Sequence, residues 1–95
     1  MKILQSASFE RKVKRFSEQE KAELDSHIRN IIENPLIGIE KKGDLRGIFV
    51  YKFRIRRQLC LLSYRFGREH IELIMIGHHE NYYRDSKQYL KNRQD

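Results

Sequence analysis

With 95 residues, ten of them aromatic, 39% hydrophobic and 35% charged, the chain is long enough for one small domain over residues 1–95 and apolar enough to exclude global disorder. No apolar run approaches the roughly 18–20 residues of a membrane span, and the N-terminus lacks the apolar core of a secretory signal, so a cytoplasmic protein away from membranes is expected. The formal charge of +7 is unevenly placed: residues 46–68 carry Arg46, Lys52, Arg54, Arg56, Arg57, Arg65 and Arg68 with no carboxylate, the pattern of a surface that attracts polyanions.

Met1 to Gln5 reads as a short strand, KILQ, and Ser6 and Ser8 are candidate helix caps after it. Phe9, Val13 and Phe16 then recur at i, i+4 and i+7, one apolar face of a short helix. Ser17-Glu18-Gln19-Glu20 is a capping box that starts a second helix, with Leu24, Ile28, Ile31 and Ile32 as its buried face. Pro35 disfavours helical geometry in the residue before it, so this helix should stop near Asn34 and close an αα-hairpin. His27 falls on the flank of that helix and is expected to be a structural residue, not a ligand.

Residues 35–47, PLIGIEKKGDLRG, hold three glycines and no period, the signature of a loop that pins Leu36, Ile37 and Leu45 to the core. Beyond it the period becomes two. Phe49, Tyr51, Phe53 and Ile55 alternate with Val50, Lys52, Arg54 and Arg56, which predicts a strand with one buried face and one wet, basic face. Residues 59–66 and 71–76 follow as two denser, more central strands around a Gly67–His70 hairpin turn. Leu59, Leu61, Ser63 and Arg65 share one face of the first of these. Cys60, the single cysteine, lies inside an apolar run and is expected to be a buried thiol. From Glu80 to about Asn92 the spacing of Tyr83, Ser86 and Leu90 predicts a terminal helix. The order β-α-α-β-β-β-α gives an α+β fold: an N-terminal strand that can join an antiparallel meander at an edge, a helical hairpin packed on one sheet face, a second face partly open to solvent, and a C-terminal helix.

The chemistry-bearing residues gather around this sheet. Lys52, Arg54 and Arg56 repeat along one strand face at about 6.5–7 Å, close to the phosphate repeat of a single nucleic-acid strand. The last strand then delivers Gly77-His78-His79-Glu80-Asn81-Tyr82-Tyr83. Cleaving RNA without a metal requires a base for the 2′-hydroxyl, an acid for the 5′-oxygen and cations for the charged phosphorane. Histidine serves either proton role near neutral pH, Glu80 a base and a tyrosine an acid. Adjacent histidines on extended chain point apart, which disfavours a metal, and no phosphate-cradling glycine loop or serine-hydrolase motif occurs, so no cofactor is expected.

Element order and motifs together resemble the RelE/ParE superfamily of type II toxins. The resemblance rests on the N-terminal strand and helical hairpin, the Leu-Arg-Gly entry to the basic strand in GDLRGIFVYKFRI, the LLSYRF strand, and the closing strand-Gly-His-x-Glu-x-x-Tyr of IELIMIGHHENYYRDSKQYL. It implies a RelE-like α+β toxin held inactive by a cognate antitoxin whose extended, partly helical segment wraps it. The RelE branch implies metal-independent cleavage of mRNA on the ribosome, and the ParE branch implies inhibition of DNA gyrase. The basic strand pair of RelE-type nucleases matches Lys52 and Arg54, and the histidine-rich segment resembles YoeB- and YafQ-like members. On that basis His79, Glu80 and Tyr83 are the expected proton-transfer residues, with His78 in reserve, and Arg46, Arg56, Arg57 and Arg65 the expected RNA-binding residues. RelE-type toxins often carry a phosphate-stabilising arginine where this chain has Leu61, so Arg65 or Arg56 would have to substitute, or the chain follows the gyrase branch.

Overall fold

The computed structural model describes residues 1–79. Strand β1 (Lys2–Gln5) leads into helix α1 (Ala7–Lys14), and helix α2 (Glu18–Glu33) follows after a short turn. Both helices begin where their caps require. The Ser6 hydroxyl accepts from the Phe9 amide at 3.0 Å, and Ser17 and Glu20 satisfy each other's backbone amides at 3.1 and 2.8 Å. Asn34 is the last residue before Pro35 and ends α2.

Four further strands complete one five-stranded sheet: β2 (Ile39–Glu40), β3 (Phe49–Ile55), β4 (Gln58–Phe66) and β5 (His70–His78). Their order is β1-β5-β4-β3-β2. β3, β4 and β5 form the expected antiparallel meander, and β1 joins its edge parallel to β5. β4 and β5 are interior strands, as their denser apolar content predicts. The core lies between the helices and one sheet face, where Phe9, Leu24 and Ile31 meet Phe53, Leu62, Tyr64 and Leu73. Cys60 is buried among them. No described helix is long and apolar enough to cross a membrane.

Three expectations need correction. The 35–47 segment is not wholly loop: it contains β2 between two 3-10 turns, Pro35–Ile37 and Gly43–Leu45. Nor does it pin its side chains, since Leu36 and Ile37 are 69% and 41% exposed and Leu45 only half-buried. The fold holds the backbone instead. The buried Tyr64 hydroxyl donates to the Pro35 carbonyl at 2.6 Å and accepts from the Gly38 amide at 3.0 Å. A Cβ at position 38 would come within 2.7 Å of that hydroxyl, so only glycine fits there.

The third correction concerns the second sheet face, which is not uniformly wet and basic. Val50, Leu61 and Met75 are buried there as a smaller cluster, with Ile74 packed against it. Met75 reaches that face because β5 is bulged: Tyr64 pairs with Leu73 but Ser63 pairs with Met75, leaving Ile74 as the extra residue. A bulge moves every later side chain to the opposite face. Ile76 therefore returns to the helical core, and Met75 leaves it. The terminal helix expected from Glu80 lies outside the described residues, as do Glu80, Tyr82 and Tyr83 themselves.

Candidate functional site

The alternation of β3 exposes Lys52 and Arg54 on the second sheet face, paired in register with Leu61 and Leu59 of β4. Arg56 does not continue that row. Arg56 and Arg57 form the two-residue turn between β3 and β4, with φ of 51° and 74°. Such turns match the twist of the flanking strands but place both residues in the left-handed region. Non-glycine residues pay about 1–2 kcal/mol each for that geometry, and Arg54 Nη1 donates to the Arg57 carbonyl at 3.0 Å, tying the turn down. Arg56 turns toward α2, 3.8 Å from Glu23, in a pair whose side chains are half-exposed. Arg46 is exposed, just before β3. Arg65 is hydrogen-bonded through its Nε to Glu72 of β5.

Register then locates the histidines. Lys52, Leu61 and Gly77 form one row across the sheet, and Phe53, Cys60 and His78 form the next. The end of β5 thus reaches the same end of the sheet as the Arg56-Arg57 turn. The pleat separates the side chains, however. His78 Nδ1 is 3.7 Å from Cys60 Sγ, on the helical side, while Lys52 and Arg54 project from the other. His79, the next residue, is exposed and follows the end of β5, one step past the Cys60–His78 pair. The structure therefore sets His78 on the opposite face from Lys52 and Arg54.

Sequence reasoning missed a second cluster on the helical side of this end. Glu20, Glu23 and His27 recur at i, i+3 and i+7, one stripe of α2, and that spacing was the available signal. His27 Nδ1 lies 3.2 Å from the hydroxyl of half-buried Tyr51, and its ring is 4.6 Å from that of Phe53. His27 is indeed a packing residue, but it clamps β3 instead of merely flanking the helix. The Glu20 carboxyl is held below its ordinary value, chiefly by the Ser17 amide and hydroxyl of the capping box, with Arg56 and His78 adding smaller attraction. Burial pushes the Cys60 thiol above its ordinary value, which keeps it protonated and unreactive. Among the described residues no group of three or more His, Cys, Asp and Glu side chains is placed to hold a metal ion.

Chemically, the site is a cationic strand and turn at the sheet end where β5 delivers the histidines, with an apolar centre. Leu61 is fully buried in a cluster with Val50 and Met75.

A protein-family model described as "ParE-like toxin of type II bacterial toxin-antitoxin system" matches residues 3–87. Among solved structures, the chain is similar to a YoeB/ParE toxin from Agrobacterium tumefaciens, with 23% identity and a TM-score of 0.62 over 83% of this chain and 99% of that one. It is also similar to a conserved hypothetical protein from Helicobacter pylori, with 18% identity and a TM-score of 0.46 over 84% and 96% of the two chains. The first likeness is one of fold. No curated protein sequence gives a significant match.

Proposed function

Because the chain belongs to the ParE-like toxins of bacterial type II toxin-antitoxin systems, we propose that it is a metal-independent mRNA endonuclease that acts with the ribosome, stops translation and is restrained by a cognate antitoxin. Lys52 and Arg54, with Arg46, Arg57 and Arg56, hold the RNA backbone and stabilise the negative charge that grows on the phosphate as the 2′-oxygen attacks. His79 and Tyr83, assisted by Glu80, take the 2′-hydroxyl proton and deliver a proton to the departing 5′-oxygen. A base-paired helix would not present the flexible 2′-hydroxyl this attack needs, so the substrate is single-stranded.

The observation that supports this reading most directly is the register: exposed Lys52 lies in a row that runs across Leu61 of β4 to Gly77 of β5, next to where the imidazoles begin, and Arg54 lies one step further along the same strand face. Primer extension on cellular mRNA after induction without antitoxin is the test. New 5′ ends should accumulate within minutes, and Lys52→Ala with Arg54→Ala should reduce them by about a hundredfold, the scale of losing charge-stabilising donors.

Burial of Leu61 in place of an arginine favours a second reading, a non-catalytic inhibitor of DNA gyrase. Pulse labelling separates the two. Translation should fail before DNA synthesis; the opposite order, with mRNA intact, transfers the function to gyrase.

A further inference from the structure

A cleft of about 320 Å³ lies between the start of α1 and the second sheet face, at the other end of β4 from the Arg56-Arg57 turn. That size falls at the lower end of small-ligand sites, roughly 300–1,000 Å³. Its construction follows from the β5 bulge. The Ser6 hydroxyl donates to the carbonyl of Ile74, the bulged residue, at 2.5 Å, and the Ser6 amide bonds the Leu73 carbonyl at 3.0 Å. The first turn of α1 is thereby fastened beside the sheet, and Ser8 and Arg11 line one wall. Ile48, Ile74 and Met75 give the cleft an apolar lining, and Arg65 and Glu72 supply its polar side.

The Arg65–Glu72 bond uses Arg65 Nε and Glu72 Oε1. The terminal guanidinium nitrogens and Oε2 remain as two donors beside an acceptor, in an orientation the pair itself fixes. A nucleobase presents the complementary edge, a ring or carbonyl acceptor next to an N–H donor, on a flat apolar ring. A bare phosphate is a poorer match, because the Glu72 carboxylate repels it. Resting on the reading of RNA as substrate, we propose that this cleft takes one unpaired nucleobase of the bound RNA. The ring lies on Ile48, Ile74 and Met75, its polar edge meets the Arg65–Glu72 pair, and Arg11 faces the sugar-phosphate. Arg65 is four residues along β4 from Leu61, the partner of Lys52. That is roughly 13 Å of strand, short enough for one RNA segment to reach both.

The test is an NMR titration of the isotopically labelled full chain with a nucleoside 5′-monophosphate, with ribose 5-phosphate and inorganic phosphate as separate arms. Amide shifts should centre on Ser8, Arg65 and Met75 with the nucleotide and be nearly absent with either base-free probe. Glu72→Ala should weaken nucleotide binding about tenfold, the loss of a bidentate base contact. The surface variant Arg11→Glu, which leaves the strand pairing intact, should weaken it severalfold. Equal shifts with ribose 5-phosphate, tighter binding in Glu72→Ala, or no response at the cleft would each overturn the proposal. The titration reads binding and not cleavage. A silent cleft in a chain that still cuts mRNA sinks the base site alone, and an occupied cleft with intact mRNA sinks the nuclease reading alone.

Discussion

The Tyr64 hydroxyl shows how a single polar atom can be worth more than its share of buried area. It donates to Pro35 and accepts from Gly38, so one buried side chain on the central strand fixes the segment that links α2 to β2. Tyr64→Phe keeps the ring stacking on Phe49 but leaves a carbonyl and an amide without their partner. The expected cost is about 1–2 kcal/mol, read as a lower urea midpoint with an unchanged slope. The same residue carries a pH signature. Burial raises the Tyr64 phenol above its ordinary value of 10.0, because the interior disfavours the phenolate. The folded state therefore binds this proton more tightly than the unfolded state. Its contribution is complete below the ordinary value and is lost as pH climbs past 10 toward the raised folded value. Denaturant titrations should show wild-type stability falling over that alkaline window and a shallower fall in Tyr64→Phe; equal alkaline slopes would contradict the assignment.

Between elements, the β3–β4 hairpin poses a conflict of local and global preference. A two-residue turn of this geometry favours Asn-Gly, yet the chain places arginines at both left-handed positions. Replacing them as Arg56→Asn with Arg57→Gly should raise stability by about 1–2 kcal/mol. If those guanidiniums grip RNA, growth arrest on induction should weaken in the same variant. A variant both more stable and fully toxic would reduce the two arginines to surface charge. This hairpin also marks what the sequence could and could not reveal. Helices and long strands were legible because caps and periods of 3.6 and two are written in neighbouring residues, as Ser17 to Glu20 and Phe49 to Ile55 show. β2 was not, since two residues form no period and their pairing with β3 is decided by tertiary contact. The Ile74 bulge was equally hidden: uninterrupted alternation assigns Met75 to the core, and only the register with Ser63 reverses it. At the candidate site, the alternation of β3 placed Lys52 and Arg54 on an exposed face, and they are exposed. It could not show that Arg65 bonds Glu72, or that Arg56 turns toward Glu23, because those carboxylates lie on other elements.

Across the whole molecule, the net charge of +7 overstates how strongly RNA should be held. Affinity for a polyanion grows with the counterions that bound cations release, about 0.7 per phosphate on a single strand, so only cations able to close on phosphates count. Arg65 is already neutralised by Glu72, and Arg56 is partly engaged by Glu23. Lys52, Arg54 and Arg57 are left as the principal contacts at the hairpin end, with Arg46 and Arg11 beyond it, which gives an expected slope of log affinity against log salt of roughly −3.5. Fluorescence anisotropy with a short labelled RNA over a range of salt concentrations measures it directly. Lys52→Ala should flatten the slope by about 0.7, whereas Arg65→Ala should weaken binding at every salt concentration without changing the slope, because it meets a base and not a phosphate. A slope near −5, the value if all seven cations of residues 46–68 closed on phosphates, would instead mean that Glu72 and Glu23 release their arginines when RNA arrives. Recognition would then be a diffuse charge effect, not a site built at one end of β3 and the cleft beside α1.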